Sequence, residues 1–416
     1  MATFSLHLNT AAAAVAAASA KSAENDDVSG VQLPDKTRNS RVLVLGGTGR
    51  VGGSTATALS KLCPYLRIVV GGRNREKGAS MVATLGKNFE FAEVDINKKD
   101  SLGAALSDVD LVVHAAGPFQ QAQKCTVLEA AIETQTAYLD ICDDTSSVFR
   151  AKSLKDRAVG ANIPAITTGG IYPGVSNDMK ILLYVPQLNC RKFVGVFKLY
   201  SHTTRQAAEA QGQLYEQLGQ KIKLKPYTGM LNVDFGKGIG KRDVYLLNLP
   251  EVQSVHEVLE VPTVSARFGT APFFWIWGME AMTNLLPSEF LRDRSKVQQL
   301  VEWFDPLVRA VDRISGERVS MRVDLECTNE RSTLALFSHR RLSVAVGNST
   351  AAFAVAILEG STQAGVWFPE EPEGIAVEAR EDLPKRAAQG TIAFVMNKPP
   401  WMVETNPKEL GLGIYV

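Results

Sequence analysis

Residues 41–53, RVLVLGGTGRVGG, place a short aliphatic run directly before a cluster of glycines. Gly47, Gly49 and Gly52 have the G-x-G-x-x-G spacing, and Gly46, Gly49 and Gly52 also fit G-x-x-G-x-x-G. Small residues at this spacing allow a strand to turn tightly into a helix and allow the backbone to approach a pyrophosphate. The stretch therefore predicts the first turn of a βαβ unit that binds a nicotinamide dinucleotide, with an ordinary glycine turn as the alternative.

Further apolar runs follow the glycines at regular intervals. We predict strands at residues 66–71, 89–94, 110–116, 137–142 and 163–169, separated by segments of helical composition. Strands that alternate with helices in this way are typical of a parallel sheet. The fold class predicted for this part of the chain is α/β, a Rossmann-type doubly wound sheet.

The end of the second predicted strand distinguishes between the two nicotinamide dinucleotides. A carboxylate there binds the ribose 2′-OH of NAD, whereas arginine accommodates the 2′-phosphate of NADP. The chain has Arg73, Asn74 and Arg75 at this point and no acid before Glu76. We therefore expect these three residues to contact the cofactor and NADP to be preferred over NAD. The alternative is that the two arginines only begin a solvated helix.

Other candidate cofactor residues lie within the glycine turn or follow later strands. In an open parallel sheet, ligands lie beyond the carboxyl ends of the strands. Asp95 is placed to approach an adenine edge, or is a strand-end cap. His114, within the fourth strand, is interpreted as a core histidine. The further candidates are Thr48, Arg50, Val51, Asp95, Ala115, Ala116, Gly117 and Pro118.

Four polar residues in the fifth strand and after the sixth are the candidate catalytic residues: Tyr138, Asp140, Tyr172 and Asp178. They are expected to line the substrate side because these strands end at the ligand crevice. The two aspartates have helix capping as an alternative role. Cys142 is a further candidate, with an inert core thiol as its alternative.

Residues 169–178, GGIYPGVSND, form a second glycine-rich turn, here containing a proline. A helix predicted from residue 178 to residue 185 would begin there, and its amino terminus could hold an anion or a polar substrate group. The alternative is a structural crossover in which Ser176 or Asn177 caps the helix.

The pattern changes after residue 191. We predict strands at residues 192–200, 243–249 and 320–327 and a helix at residues 205–218. Residues 320–327 alternate between apolar and polar side chains, which indicates a strand with one wet face. Gly236, Gly238 and Gly240 lack the flanking strand and helix of a nucleotide site and are interpreted as a flexible turn. A second, α+β domain with a mixed or antiparallel sheet is expected.

The predicted domain organisation has four parts. Residues 1–40 are a transit peptide and linker, and residues 41–185 are the dinucleotide-binding domain. Residues 186–345 are a second domain for substrate binding or dimerisation, which would make a homodimer. Residues 346–416 contain a helix, predicted at 348–359, and a tail, both expected to return to the dinucleotide-binding domain, the tail wrapping its surface.

Composition excludes several classes of partner. The 45 basic and 44 acidic residues give a net charge of +1, so no global field favours nucleic acid or anionic lipid. The five cysteines are scattered without a C-x-x-C pair, which argues against disulfides and against a metal site. Residues 271–282, APFFWIWGMEAM, are too short to span a bilayer and are interpreted as a buried aromatic cluster or a lid.

The first 23 residues are rich in Ala, Ser and Thr and contain no acid. This composition is typical of a transit segment and favours a chloroplast location. The alternative is a disordered extension that carries no address, on a cytoplasmic protein.

The motifs together resemble the saccharopine dehydrogenase-like oxidoreductases, in particular their plastid-targeted plant branch. The resemblance rests on GGTGRVG at 46–52, GGRN at 71–74, HAAGPF at 114–119, AYLDICDD at 137–144 and GGIYPGVSNDM at 169–179. It implies a nucleotide domain, a second α+β domain and a cleft between them. It also implies reduction of an imine formed from an amine and an oxo acid, or the reverse oxidation. The matching residues belong mainly to the cofactor frame, so no particular substrate is implied.

We therefore expect an NADP-dependent oxidoreductase that acts on a small-molecule substrate, with hydride transfer at a carbon bonded to nitrogen or oxygen. A short-chain dehydrogenase is disfavoured because no tyrosine in the chain has a lysine four residues later. One alternative from another class stays open, a protein that binds NADP or senses redox state without catalysis.

Overall fold

The computed structural model describes residues 31–117, 119, 122–184, 190–199, 213–217, 220–224, 228–236, 239–247, 249–270, 285, 299, 303, 317–327 and 331–404. Residues 1–30, which include the predicted transit segment, and the aromatic stretch at 271–282 lie outside the described residues. Residues 31–40 of the predicted linker are described. The chain divides into two compact units, Met1–Pro186 with Ser343–Gln389 and Gln187–Leu342 with Gly390–Val416.

In chain order, the strands are β1 (Arg41–Leu45), β2 (Arg67–Gly72), β3 (Phe89–Glu93), β4 (Leu111–His114), β5 (Ala137–Asp140), β6 (Pro164–Ile166), β7 (Cys190–Leu199), β8 (Gln213–Gln217), β9 (Gln220–Leu224), β10 (Leu231–Asp234), β11 (Lys241–Leu246), β12 (Thr263–Thr270), β13 (Val319–Cys327), β14 (Ser332–His339), β15 (Gly365–Trp367) and β16 (Ala393–Lys398). The helices are α1 (Arg50–Leu62), α2 (Arg75–Leu85), α3 (Lys99–Leu106), α4 (Thr126–Glu133), α5 (Thr145–Lys152), α6 (Lys155–Gly160), α7 (Val175–Tyr184), α8 (Pro250–Leu259), α9 (Leu342–Leu358), α10 (Val377–Arg380), α11 (Asp382–Ala387) and α12 (Trp401–Glu404).

The first unit is built on a parallel sheet in the order β15-β6-β5-β4-β1-β2-β3. Its central strands β1, β2 and β4 are mainly aliphatic, as is typical of a parallel sheet that is covered on both faces. In β1, for example, Val42, Leu43, Val44 and Leu45 are all buried. β1 pairs with β2 on one side and β4 on the other, so the strand order reverses at β1. The predicted Rossmann-type α/β fold is confirmed.

A C-terminal segment completes this sheet. β15 pairs in parallel with β6, and Val366 and Trp367 in it are buried. We expected this part of the tail to wrap the surface, but its apolar side chains extend the core as a seventh strand. α9 is buried along most of its length and approaches α1 closely, since a Cβ added at Gly347 would lie 2.6 Å from Ser54.

Two helices of the first unit differ from the prediction. α7 begins at Val175, so Ser176 and Asn177 lie inside its first turn and do not cap it. The turn before it contains Gly174, whose φ of +129° favours glycine. The segment of helical composition between the predicted fifth and sixth strands forms two helices, α5 and α6, with Asp144 accepting a hydrogen bond from Ser147 N as the N-cap of α5.

The second unit contains a mixed sheet, which confirms the predicted class of its fold. Its path is β10-β11-β12-β7-β13-β14-β16, with β8 pairing with β12 and β9. β7 and β12 are parallel, whereas β13 is antiparallel to β7 and β14. Residues 213–217 of the predicted helix 205–218 form β8 instead, because pairing with β9 and β12 overrides a weak local preference. Residues 205–212 lie outside the described residues.

The polar face of β13 is less exposed than expected. Ser320 is buried and its hydroxyl lies 2.9 Å from that of Ser338. Arg322 is also buried and donates to Asp324 from Nε at 2.9 Å. Partners within the sheet therefore satisfy these polar groups. The tail strand β16 pairs with β14, so residues 393–398 belong to this unit and not to the dinucleotide-binding one.

Gly236 and Gly240 lie between the antiparallel strands β10 and β11 and have φ values of +76° and +68°. They serve a turn, as the sequence predicted; Gly238 lies outside the described residues. Within the part of the chain that is described, no helix combines the length and apolarity that crossing a membrane requires.

A buried ion pair joins α7 to the C-terminal part of the first unit. Arg380 Nη1 lies 3.1 Å from Asp178 Oδ1, and neither side chain is more than 3% exposed. The guanidinium also donates to the carbonyls of Pro369, at 2.9 Å, and Glu371, at 2.8 Å. Burial raises the pKa of Asp178 to about 7 even though the Arg380 cation opposes the shift. The ion pair thus anchors α7, and the Arg380 cation stabilises the buried charge of the Asp178 carboxylate.

Removing the cation should leave a buried carboxylate without compensation. We expect Arg380→Met to lower the free energy of unfolding by about 3–5 kcal/mol at pH 8. The loss should shrink towards pH 5, because a carboxyl whose folded pKa is raised is stabilised in the folded state by protonation as the pH falls. Denaturant unfolding at the two pH values measures this. Asp178→Asn in the Arg380→Met background should recover part of the loss; a loss that does not vary with pH would contradict the assignment.

Candidate functional site

The glycine turn between β1 and α1 is shaped by contacts that exclude side chains. Gly46 has a φ of +76°, and a Cβ there would lie 2.6 Å from the carbonyl oxygen of Ala115. A Cβ at Gly52 would lie 2.4 Å from the carbonyl oxygen of Gly46, and one at Gly47 would lie 2.8 Å from that of Val44. These glycines therefore permit the tight turn and the close packing of α1 on β1.

Gly49 has a different environment. A Cβ added there would meet, within 4 Å, one atom, the carbonyl oxygen of Gly46 at 3.1 Å. Gly49 is the N-cap residue of α1, a 13-residue helix with no acidic residue in its first turn. The first amide N–H groups of a helix have no partner within it and attract anions. Arg50 is exposed and Val51 half-buried at this end of α1, so the turn presents donors and positive charge to a phosphate.

The end of β2 lies beside the same turn. A Cβ at Gly72 would lie 2.9 Å from Thr48 Oγ1. Arg73 and Arg75 are exposed. In the part of the chain that the structure describes, neither guanidinium forms a hydrogen bond or ion pair. Asn74 is engaged as the N-cap of α2, where Oδ1 accepts from the backbone N–H of Lys77 at 2.8 Å.

Asp95 follows β3, next along the sheet. Its Oδ1 accepts from the backbone N–H of Asn97 at 3.1 Å, and this bond lowers the pKa of the carboxyl. The Arg73 cation contributes to the same shift and therefore lies near Asp95. The two residues flank one region, on the β2–β3 side of the glycine turn.

On the other side of the turn, the chain leaves β4 at Ala115. The backbone N–H of Ala115 donates to Leu45 O at 3.0 Å, so this segment runs next to the end of β1. A Cβ at Gly46 would also lie 2.9 Å from the Cα of Ala116. Gly117 follows, and Pro118 lies outside the described residues. The candidate cofactor residues that the structure describes thus lie at one edge of the sheet.

Tyr138 and Asp140 are joined with His114 in a chain of hydrogen bonds. His114 Nδ1 lies 3.3 Å from the Tyr138 hydroxyl, which donates to Asp140 Oδ2 at 2.9 Å. Asp140 also accepts from the backbone N–H groups of Cys142 and Thr168, both at 2.9 Å. Asp140 and His114 occupy register positions opposite each other on β5 and β4.

Thr167 completes the set of donors around Asp140. Its hydroxyl lies 3.0 Å from both carboxylate oxygens. Asp140 is therefore surrounded by donors from two segments of the chain, residues 138–142 and 167–168. The participation of Thr167 and His114 in these hydrogen bonds was not predicted from the sequence; the position of both residues near the ends of predicted strands was the available signal.

Burial sets the protonation of these groups. It raises the pKa of Asp140, a shift that the hydrogen bonds oppose, and it raises the pKa of Tyr138 well above its usual value. It lowers the pKa of His114 to about 4, although a hydrogen bond with the Ala116 backbone opposes this shift, so the imidazole is neutral at pH 7. Burial also raises the pKa of Cys142 well above that of a free thiol, and that of Cys125 to about 11. These thiols are protonated and are poor nucleophiles.

The turn before α7 gathers the other two candidate residues. Tyr172, half-buried, precedes Pro173 through a cis peptide bond. Asp178 is fully buried in its pair with Arg380. Neighbouring Asn177 donates to Glu370 at 2.8 Å, so the first turn of α7 is occupied by internal contacts. Asp178 thus belongs to a different set of hydrogen bonds from Tyr138 and Asp140.

Among the described residues, no group of three or more His, Cys, Asp or Glu side chains is placed to hold a metal ion. The features that fit a ligand are those of a dinucleotide site. They are the space above Gly49, the unpaired Arg73 and the donors at the start of α1.

Comparison with solved structures supports the fold across both units. The apo form of histidine-tagged saccharopine dehydrogenase (L-Glu forming) from Saccharomyces cerevisiae matches with a TM-score of 0.63 and 14% identity, over 86% of this chain and 99% of that one. At this identity the likeness shows the fold alone. No curated protein sequence matches the chain.

Two shorter matches have TM-scores too low to argue from. The 3-hydroxyacyl-CoA dehydrogenase type-2 from Mycobacterium avium has a TM-score of 0.27 and 17% identity, over 32% of this chain and 73% of that one. A short chain dehydrogenase/reductase from Saccharomyces cerevisiae has a TM-score of 0.26 and 15% identity, over 31% and 69%.

The family comparison covers the strands and turns of the site. The model of the saccharopine dehydrogenase NADP binding domain matches residues 42–166, which run from β1 to the end of β6. The match includes the glycine turn, Arg73 and the segment after β4. Residues 42–166 therefore form an NADP-binding domain of the saccharopine dehydrogenase type.

Proposed function

We propose that the protein is an NADP-dependent oxidoreductase that transfers a hydride to or from a carbon bonded to nitrogen or oxygen in a small molecule. The observation that carries this proposal is Arg73, an exposed and unpaired guanidinium in the described part of the chain, beside the open glycine turn. Guanidinium groups offer planar paired donors that suit phosphate. No acid stands between Gly71 and Arg75 to bind a free ribose 2′-OH.

Different residues along this edge of the sheet are suited to different parts of the cofactor. The start of α1, at Gly49 and Arg50, is suited to the pyrophosphate, and Arg73 to the 2′-phosphate. The backbone at 115–117 lies on the opposite side of the turn, where the nicotinamide ribose is expected. NADP, when bound, supplies the hydride chemistry, and the chain supplies orientation and exclusion of water.

The first substrate class to test is the one that the structural neighbour's name indicates. Saccharopine dehydrogenase (L-Glu forming) covers most of this chain, although at 14% identity. We propose that the protein reduces an imine formed from an amine and an oxo acid, or catalyses the reverse oxidation.

A binding protein without turnover is the second candidate, and one observation favours it. Asp140 is 3% exposed and Asp178 is fully buried, and both carboxylates are engaged within the protein. A screen of amine and oxo-acid pairs, followed by NADPH absorbance, separates the two. Steady NADPH consumption that depends on both partners is expected; cofactor binding without turnover across a broad metabolite set would favour the binding protein.

The cofactor assignment predicts a selective loss of affinity. Arg73→Ala should weaken NADPH binding about tenfold or more, because it removes a charge-assisted hydrogen bond to the 2′-phosphate. NADH binding should be nearly unchanged. Fluorescence titration of both cofactors measures this, and Arg157→Ala, another exposed arginine of the same unit, is the matched control. Equal losses for both cofactors would exclude the 2′-phosphate role.

Gly49→Val provides the contrasting variant in the same titration. Its side chain would enter the space above the turn, so binding of both cofactors should be lost. Gly103→Val is the control, since nothing lies within 4 Å of a Cβ added there. Retained cofactor binding by a folded Gly49→Val protein would place the pyrophosphate elsewhere.

A plastid location is a further part of the proposal. The Ala-, Ser- and Thr-rich composition of residues 1–23 supports it. A fluorescent protein that carries residues 1–40 should enter chloroplasts of plant cells; a fusion that stays in the cytosol would contradict the assignment.

A further inference from the structure

His114 occupies the last position of β4, one strand away from the glycine turn. Its backbone is in register with Leu45 of β1 on one side and Asp140 of β5 on the other. With Arg73 binding the adenosine half on the β2 side, the nicotinamide half extends to the β4 side of the turn. The imidazole is therefore on the nicotinamide side of the site.

The hydrogen bonds around Asp140 determine which ring nitrogen of His114 carries the proton. Two backbone N–H groups and Thr167 donate to the Asp140 carboxylate, which favours its ionised form. The Tyr138 hydroxyl gives its one hydrogen to this carboxylate and can only accept from His114 Nδ1. Nδ1 thus carries the hydrogen, and Nε2 presents a lone pair.

That Nε2 atom is buried and has no hydrogen-bond partner. The other interactions of the ring are with the Tyr138 hydroxyl, the Phe119 ring and the Ala116 backbone. A buried polar atom without a partner costs stability, and an apolar residue would avoid the cost at this position. Packing alone therefore does not explain a histidine here. Phe119 contacts the imidazole edge-on, with ring centroids 4.8 Å apart, and provides an apolar contact that a planar ligand ring can replace or share.

We propose that His114 Nε2 accepts a hydrogen bond from the carboxamide NH₂ of the nicotinamide when NADP is bound. The inference rests on the proposed function in requiring NADP at this site. It assigns His114 as a positioning residue for the nicotinamide ring. The carboxamide matches because it offers an N–H donor on the ring that this side of the site receives, and the neutral imidazole offers an acceptor without charge.

A role as the proton acceptor of the reaction fits less well. Catalytic bases work best with a pKa near the working pH, whereas burial lowers the pKa of His114 to about 4. The titratable groups around the hydrogen-bonded chain are Tyr138, Asp140, Cys125 and Cys142. Three of them are protonated at pH 7, and the carboxylate reaches the imidazole through the tyrosine hydroxyl. The geometry favours a fixed neutral acceptor.

The test compares NADP⁺ with its 3-acetylpyridine analogue, in which a methyl group replaces the carboxamide NH₂. The wild-type protein should bind NADP⁺ about tenfold more tightly than the analogue, measured by calorimetric titration. His114→Phe should lose this preference. His114→Gln, which can place an acceptor near the position of Nε2, should keep part of it. Adenosine 2′,5′-bisphosphate, which lacks the nicotinamide half, should bind all three proteins equally.

The possible results distinguish failure of the proposed function from failure of the role of His114. If wild-type protein binds neither NADP⁺ nor adenosine 2′,5′-bisphosphate, the proposed function fails. If it binds NADP⁺ and the analogue equally, or if a folded His114→Phe protein keeps the preference, the role of His114 fails while the cofactor assignment stands. If His114→Phe does not fold, the wild-type protein and His114→Gln still test the role of His114. A weaker preference of His114→Gln for NADP⁺ over the analogue, with binding of adenosine 2′,5′-bisphosphate unchanged, supports the hydrogen bond. A preference as strong as that of the wild type excludes it.

Discussion

The close approach of Gly46 to Ala115 and Ala116 is the constraint on which the site depends. It brings the turn after β1 against the segment after β4, at the point where the strand order reverses. A side chain at Gly46 would separate the two segments and would also require an unfavourable left-handed backbone. Because the start of α1 and the backbone at 115–117 are both positioned by this contact, the two halves of the proposed dinucleotide site lie at a single edge of the sheet.

Beyond that edge, the polar groups of the first unit form two separate buried systems. One connects β4, β5 and the segment after β6 through Asp140; the other connects α7 to the segment at 369–371 and α10 through Arg380. In both, a carboxylate is kept from water and surrounded by donors from distant parts of the chain. Such systems are costly to leave incomplete, and they therefore fix local geometry more strictly than apolar packing does. Together they hold the strand ends and the turn before α7 in place.

Much of the fold and of the cofactor side could be predicted from the sequence, because glycine spacing and aliphatic runs are local signals. The strands β1–β5 and the turn at 46–49 belong to this class. The strand at 365–367 could not be predicted, since its pairing with β6 joins residues about 200 positions apart and leaves no local pattern. His114 was interpreted as a core residue for the same reason: its distinguishing feature is the register that places Asp140 beside it. Asn74 was interpreted as a cofactor ligand. In the structure its side chain caps α2, because Oδ1 accepts a hydrogen bond from the backbone N–H of Lys77.

The seventh strand also constrains the order in which the protein can be made. The NADP-binding unit needs α9 and β15, which the ribosome produces only after all of residues 187–342. The edge of β6 consequently stays unpaired during most of translation, and an unpaired strand edge can join foreign strands. The second unit is translated almost in full before the first can close, so premature termination after β6 and before β15 would release a nucleotide-binding sheet with one open side.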